Sequence, residues 1–165
     1  MDKRIDTDQE QRVSELTPVQ KSLTINLRQK RTHLAICEFY QRHEAAAEAE
    51  IATWLDDLVE ALRAEVADLS RLLRLYDVAS AGVYAVRNQV DEARYVKSRE
   101  ARLTLLLTRS QTTSRWYEQE LSVHPPDDVA LLWTEFLAAE QQRVQQIQQM
   151  LAQAKGAAVH GQPQR

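Results

Sequence analysis

The strongest constraint on this chain is an apolar stripe whose central position is held by a carboxylate. The stretch from Asp127 to Leu151 is amphipathic, and Glu140 stands in the middle of its apolar face. The apolar positions recur with helical spacing at Val129, Trp133, Phe136, Val144, Ile147 and Leu151. A charged group on a core-facing stripe is costly unless another group pairs with it or binds it. The stretch therefore predicts a core helix that carries a buried polar site.

The same pattern occurs earlier in the chain. Glu65 lies 75 positions before Glu140, and leucines surround it where apolar residues surround Glu140. An aromatic pair precedes each stripe, Phe39-Tyr40 in the first half and Trp116-Tyr117 in the second. Each half is therefore predicted to be an αα hairpin whose second helix has a glutamate at a core position.

Capping signals set the helix boundaries in the first half. Thr17 is predicted to cap a helix that begins at Pro18 and runs to about residue 46. The stripe then changes phase, and Thr53-x-x-Asp56 has the form of a second capping box, so a turn is predicted near residues 47–53. The next helix is expected to end at about Asp77. The alternative is one continuous helix from residue 18 to residue 77, because no helix breaker separates the two stripes.

A long connection joins the two hairpins. Small residues at 79–82 mark a boundary, and residues 83–97 are predicted to form a short helix. Ser98 is the expected cap of a third long helix, which ends before the break at 124–126. A 15-residue helix spans roughly 22 Å, which suits a crossover along a bundle.

The predicted fold class is therefore all-α, an antiparallel four-helix bundle of two αα hairpins joined by a long helical crossover. Residues 1–16 are expected to be a flexible N-terminal arm, residues 17–151 the bundle, and residues 152–165 a disordered tail.

Composition excludes several kinds of partner. The net charge of −3 gives no overall basic field, so no nucleic-acid partner is expected. The sequence has no apolar run long enough to span a membrane and no secretory signal, so a cytoplasmic protein is expected. One cysteine, Cys37, excludes an internal disulfide and is interpreted as a small core filler. Lys30 belongs to a local basic cluster that is interpreted as a solvated helix face, and His33 is interpreted as a residue at the flank of the first helix.

The arrangement resembles the ferritin-like superfamily and, within it, the rubrerythrin-like branch. The resemblance rests on FYQRHEAAAEAEIATWLDDLVEALRAEVAD in the first half and WYEQELSVHPPDDVALLWTEFLAAEQQR in the second. Members of that family bind two metal ions, usually iron, in the bundle core. Their second and fourth helices each carry Glu-x-x-His, and their first and third helices each supply another Glu. The resemblance implies functions such as peroxide reduction, oxidation chemistry or iron handling.

The match to the family's ligand pattern is partial. Glu65 and Glu140 fall where the Glu of each Glu-x-x-His would lie, but Asp68 and Arg143 stand where the two histidines would be. The first-helix ligand would fall near Leu34 and the third-helix ligand near Gln111, and neither position is a carboxylate. The resemblance therefore implies a di-metal site that has degenerated.

Two interpretations of the polar layer stay open. In the first, Glu65, Asp68, Glu140 and Arg143 form a buried network without a cofactor, because a guanidinium can pair with two carboxylate oxygens. In the second, Glu65, Asp68 and Glu140 bind a divalent metal, with Fe, Mn or Mg as candidates. The first is expected, because metal ions do not tolerate a guanidinium beside them.

Three functions follow from these interpretations. The first is a ferritin-like bundle with a degenerate, metal-free carboxylate site that acts by binding or assembly. Tryptophans expected to be exposed near the hairpin ends favour self-association, so a dimer, with a possible protein partner, is expected. The second is a ferritin-like oxidoreductase, divalent-metal or di-iron, with unusual ligands. The third is an elongated helical scaffold or adaptor built on the continuous helix. Whether the chain is an enzyme is left open.

Overall fold

The computed structural model describes residues 15–43 and 49–160, with side chains described as far as residue 156. These residues form helices and contain no strand, which confirms the all-α prediction. The helices are α1 (Pro18–His43), α2 (Ala49–Leu75), α3 (Arg87–Tyr95), α4 (Arg99–Ser122) and α5 (Asp127–His160), with a short 3-10 helix at Ser80–Gly82.

The capping signals at two helix starts are confirmed. The Thr17 backbone N–H donates to Gln20 Oε1 at 2.8 Å, and the Gln20 N–H donates back to Thr17 Oγ1 at 3.2 Å. These reciprocal bonds satisfy two backbone donors that a helix start leaves without partners. At the start of α4, Ser98 Oγ accepts from the Ala101 N–H at 3.1 Å.

The predicted turn near residues 47–53 is wrong in its later part. α2 begins at Ala49, and Thr53 Oγ1 donates to the Ala49 carbonyl at 2.8 Å, so Thr53 lies inside the helix and does not cap it. A threonine can bond back to the carbonyl four residues earlier, which makes it compatible with a helix interior. Residues 44–48, on which the rest of that prediction falls, lie outside the described residues.

The ends of three helices also differ from the prediction, and one of these is α3, which is Arg87–Tyr95 and not residues 83–97. α2 ends at Leu75, just before Asp77, whose φ of 58° is incompatible with a continuing helix. α5 continues to His160, so the disorder expected for residues 152–160 is wrong. The alanine, glutamine and lysine of this stretch favour helix even where the apolar stripe has ended. The predictions for residues 1–14 and 161–165 lie outside the described residues.

Side-chain contacts show that α1 and α2 run antiparallel. At one end, Gln20 Nε2 donates to the Tyr76 carbonyl at 2.7 Å. At the other end, Gln41 Nε2 donates to Asp56 Oδ1 at 2.7 Å. These bonds exclude the continuous helix from residue 18 to residue 77, because such a helix would hold these residues far apart.

The two helices of the second half lie against the first hairpin. α4 runs antiparallel to α1, since Ser22 Oγ donates to Glu120 Oε2 at 3.0 Å and Asn26 Nδ2 donates to Tyr117 Oη at 2.7 Å. α5 runs antiparallel to α2, since Tyr76 Oη donates to Asp128 Oδ1 at 2.7 Å near one end. Trp54 Nε1 donates to Gln146 Oε1 at 3.0 Å towards the other end.

The crossover lies along α1 and is fixed by polar contacts. Arg31 Nη1 donates to the Ser80 carbonyl at 2.7 Å, and Thr32 Oγ1 accepts from the Val86 N–H at 2.8 Å. In the second half of α3, the Ala93 carbonyl accepts from Tyr40 Oη at 2.9 Å. The crossover therefore follows α1 in the same direction, from the end of α2 to the start of α4.

The core consists of two apolar clusters. One is centred on Tyr40, Leu55, Leu62, Leu106 and Ile147, and the other on Leu27, Leu69, Tyr117, Trp133 and Phe136. Of the stripe on α5, Val129, Trp133, Phe136 and Ile147 are buried as predicted. On each long helix, the residues between the two clusters include buried polar ones, so a polar layer crosses the middle of the core.

None of the described helices combines the length and apolar character that crossing a membrane would require.

Candidate functional site

The polar layer is the candidate site, and every long helix contributes to it. Its buried members are Lys30 and His33 on α1, Glu65 on α2, Ser110 and Ser114 on α4, and Glu140 and Arg143 on α5. Buried charges are rare unless they are paired, so this layer is the most unusual part of the core.

Four of these side chains form a closed ionic network. Lys30 Nζ lies 2.7 Å from Glu140 Oε1 and 3.0 Å from Glu65 Oε2. Arg143 Nη1 donates to Glu140 Oε1 at 2.8 Å, and its Nη2 donates to Glu65 Oε1 at 2.8 Å. Each cation therefore contacts both carboxylates, and the two positive charges balance the two negative ones. We call these four residues the charge-balanced network.

Local geometry on α5 and α1 places the two cations. Glu140 and Arg143 are three residues apart, so they lie on adjacent turns of one helix face. The Lys30 side chain crosses the core beside two aromatic rings, with Nζ 5.4 Å from the Tyr117 ring centre and 5.0 Å from that of Phe136. The negative faces of these rings add to the attraction of the carboxylates for the ammonium group.

The network keeps its members ionised in spite of burial. Burial alone would raise the pKa of Glu140, but Lys30 and then His33 and Arg143 hold it well below its usual range. Burial would lower the pKa of Lys30, but Glu140 raises it above its ordinary value. Burial likewise opposes the charge of Arg143, and Glu140 and Glu65 raise its pKa. All three groups are therefore charged at neutral pH.

Three of the four residues predicted to share this layer are brought together, and the fourth is not. Glu65, Glu140 and Arg143 meet as described. Asp68 is half-buried and pairs with Arg71 on its own helix, so its prediction as a network residue is wrong. Three residues of helix amount to about 300° of rotation. Asp68 therefore lies about 60° round the helix from Glu65, at the edge of the face that holds Glu65, and its short side chain pairs with the exposed Arg71.

Lys30 is the residue that the sequence interpretation missed. It was expected on a solvated face, yet only 1% of it is exposed. The signal was present, because Leu23, Leu27, Lys30 and Leu34 follow one another in alternating steps of four and three. Lys30 therefore falls on the apolar stripe of α1, just as Glu140 does on α5, one helical turn before Leu34.

On α4, the site residues are serines. The expected third-helix position near Gln111 is half-buried, whereas Ser110 and Ser114 face the layer and are buried. Ser114 Oγ donates to the Ser110 carbonyl at 2.8 Å, so one hydroxyl is used within the helix. The charge that α4 brings near the layer is Arg109, which is half-buried, donates to Gln89 Oε1 at 3.0 Å and opposes protonation of His33.

His33 and Cys37 are also buried near the layer. Burial lowers the pKa of His33 to about 3, so the imidazole is neutral at physiological pH, and its Nε2 has no hydrogen-bond partner. Burial raises the pKa of the Cys37 thiol to about 12, which removes it as a nucleophile at neutral pH. His33 was expected at the flank of the first helix, and that interpretation is wrong because only 3% of it is exposed.

The residues present do not fit the metal pair that the family resemblance implies. In residues 15–43 and 49–160, no three His, Cys, Asp or Glu side chains are grouped so that they could hold a metal ion. The carboxylate oxygens of Glu65 and Glu140 that face the layer instead contact an ammonium and a guanidinium. The three-carboxylate site predicted from Glu65, Asp68 and Glu140 is therefore not assembled.

Comparison with protein-family models, with curated proteins and with solved structures finds no match to this chain.

Proposed function

We propose that this chain is a ferritin-like four-helix bundle whose di-metal site is replaced by two side-chain cations, and that it acts by binding or assembly. The observation that carries the proposal is the charge-balanced network, in which Lys30 and Arg143 each contact both Glu65 and Glu140. A bridging cation between two carboxylates is what a metal ion would supply in the family that the sequence resembles.

The directions of the helices support the fold part of this proposal. α1 is antiparallel to α2 and α4, and α5 is antiparallel to α2. This up-down-down-up order with a long crossover is one of the known connectivities of four-helix bundles, and ferritin-like folds have one such crossover. The glutamates occupy the second helix of each hairpin, as in the family pattern.

The chemistry of the network favours binding over redox function. A metal ion that bridged Glu65 and Glu140 would displace the cations that already bridge them, and each displaced cation would then be buried without a partner. Breaking a buried ion pair in this way costs about 3–5 kcal/mol. This cost favours a structural role, in which the network fixes the packing of the helices, over the oxidoreductase alternative.

A surface groove between α2 and α5 supports the assembly part of the proposal. Leu75 is 77% exposed and Leu131 is 66% exposed, and both line a groove of about 360 Å³. Arg71 and Glu135 lie on the same groove and give it charges of both signs. A patch with an apolar centre and both charges can pair with a second copy of itself around a two-fold axis.

The tryptophans do not support assembly in the way expected from the sequence. Trp133 is buried, and Trp54 and Trp116 are half-buried, so the prediction that exposed tryptophans mark the hairpin ends is wrong. Each ring packs inside the molecule instead, as when Trp116 and Trp133 meet with centres 5.3 Å apart. We therefore assign the proposed dimer contact to the leucine groove.

Metal analysis tests the proposal directly. The purified, untagged chain is incubated anaerobically with Fe²⁺ or Mn²⁺, desalted and analysed for bound metal. We expect less than one ion per chain under either condition, because both carboxylates are already neutralised. One or two ions per chain that are lost in Glu65→Ala/Glu140→Ala would overturn the proposal in favour of a metal enzyme. Glu60→Ala/Glu118→Ala, which removes two exposed glutamates from long helices outside the leucine groove, is the matched control.

A further inference from the structure

Three buried polar atoms next to the charge-balanced network have no hydrogen-bond partner. They are His33 Nε2 on α1, Ser110 Oγ on α4 and Glu140 Oε2 on α5. The residues are 3%, 0% and 0% exposed. Glu140 is unusual in this respect, because its Oε1 accepts from both Lys30 and Arg143 while its Oε2 accepts from neither.

Helix register brings the three residues to one level of the core. Asn26 on α1 bonds to Tyr117 on antiparallel α4. His33 lies seven residues after Asn26, and Ser110 lies seven residues before Tyr117. Seven residues are about two helical turns, so both side chains return to the faces that make the Asn26–Tyr117 contact. Glu140 is close enough to His33 for its carboxylate to raise the pKa of the imidazole against the effect of burial.

Leaving such atoms unpaired is energetically expensive. Each buried donor or acceptor without a partner carries the full desolvation penalty of that group, and the penalty is larger if the group is charged. Three of them at one level are therefore unlike a normal protein core, where about 90% or more of buried polar groups are bonded. Where several such polar atoms converge, a buried water usually supplies the missing hydrogen bonds.

The charges decide what kind of molecule fits there. An added cation would meet Arg109, Arg143 and Lys30, and an added anion would meet the Glu140 carboxylate. Glu140 Oε2 requires a donor, whereas Ser110 Oγ can donate or accept and neutral His33 Nε2 can do either according to its tautomer. A small neutral molecule with both donors and acceptors satisfies all three atoms.

We propose that His33, Ser110 and Glu140 form an internal binding site for water, on the side of the charge-balanced network that faces α4. The water donates to Glu140 Oε2 and exchanges hydrogen bonds with the other two side chains. This inference goes beyond the proposed function, because it holds whether or not the chain assembles with a partner.

Counting long-lived internal waters tests the site. Magnetic relaxation dispersion of water ¹⁷O in solutions of the full chain reports waters that exchange slowly with bulk. We expect Ser110→Val to lower the count by at least one, because the variant removes a hydroxyl and fills the space with a methyl group. Thr108→Val is the control, because Thr108 is exposed on the same helix and should leave the count unchanged.

If Ser110→Val fails to fold, a high-resolution crystal structure of the unmodified chain tests the proposed water site. Density for a water within hydrogen-bond distance of at least two of the three atoms supports the site. A direct bond between His33 and Ser110 or Glu140, with no water between them, would overturn it. A metal ion, or an anion held there by the neighbouring Arg109, would also overturn it.

Discussion

Lys30 determines how the charged residues of the core can coexist. Its ammonium group contacts Glu140 at 2.7 Å and Glu65 at 3.0 Å, with no more than 1% of the side chain exposed. Desolvating two ion pairs is costly, and a hydrophobic layer of equal volume is often as stable or more so. The network therefore contributes more to fixing which helix faces pack together than to the stability of the fold.

Removing Lys30 should destabilise the chain strongly at neutral pH. We expect Lys30→Met to lower the free energy of unfolding by about 3–5 kcal/mol, because it leaves Glu140 with one partner instead of two. Urea denaturation at neutral pH measures the change. Lys21→Met, an exposed lysine on the same helix, is the control and should change the stability by less than about 0.5 kcal/mol.

The loss of unfolding free energy caused by Lys30→Met should become smaller in acid. The low folded pKa of Glu140 contributes stability that is present above its unfolded pKa of about 4.3 and is lost as the pH falls. Lys30→Met removes the largest favourable cause of that low pKa, so the difference from the unmodified chain should shrink below about pH 4. A deficit of constant size from neutral pH to acid would show that lost packing, not lost charge pairing, explains the effect.

At the scale of elements, the crossover is fixed mainly through polar contacts with α1. Arg31 bonds to the Ser80 and Val83 carbonyls, and Thr32 accepts from the Val86 N–H. Few side chains of α3 reach the core, with Val90 and Ala93 as its buried members. Segments with few buried apolar contacts open at lower free energy than the core, so the crossover should open before the long helices do.

Arg31→Met tests this order of opening. Without the guanidinium, the backbone amides of residues 83–96 should exchange with deuterium at least several-fold faster, because two of the crossover's carbonyl contacts are lost. Hydrogen-exchange mass spectrometry measures the change, and Arg28→Met, exposed on the same helix, is the control. Equal loss of protection in α2 and α5 would mean that Arg31 supports the whole core and not the crossover alone.

At the scale of the whole molecule, the groove formed by α2 and α5 is a prominent apolar surface. Leu72 and Leu132 continue it inward from the exposed Leu75 and Leu131. Exposed apolar patches rimmed by polar residues commonly mark interaction sites. We assign this surface to the proposed dimer contact, so the state of assembly should depend on it.

Leu131→Glu tests the dimer contact. We expect the unmodified chain to sediment as a dimer and the variant to dimerise at least tenfold more weakly, which corresponds to about 1.4 kcal/mol. Sedimentation velocity over a concentration series measures both. Val123→Glu places the same charge on another exposed apolar residue, 72% exposed, and should leave the dimer intact. A monomer at every concentration, or equal weakening by both variants, would contradict this assignment.

Much of the secondary structure was determined by the sequence alone. The helix starts at Thr17 and Ser98 and the core faces around Glu65 and Glu140 were predictable, because capping and periodicity depend on residues close together in the chain. The end of α5 at His160 was not predictable in this way. The loss of the apolar stripe after Leu151 marks where α5 stops packing against the core, but the helix itself continues.

Arg143 was predicted from the sequence as a partner of the buried carboxylates, but the pairing of Lys30 with them and the exclusion of Asp68 were decided only by the tertiary structure. One residue turns a helix by about 100°. A modest rotation of α1 or α2 about its axis would therefore exchange core for solvent at Lys30 or Asp68. The rotation of α1 and α2 about their axes therefore decides that Lys30 enters the layer and Asp68 pairs with Arg71 at the surface. The local stripe of α1 places Lys30 on the core face, but which groups it meets there is set by the packing of all four long helices together.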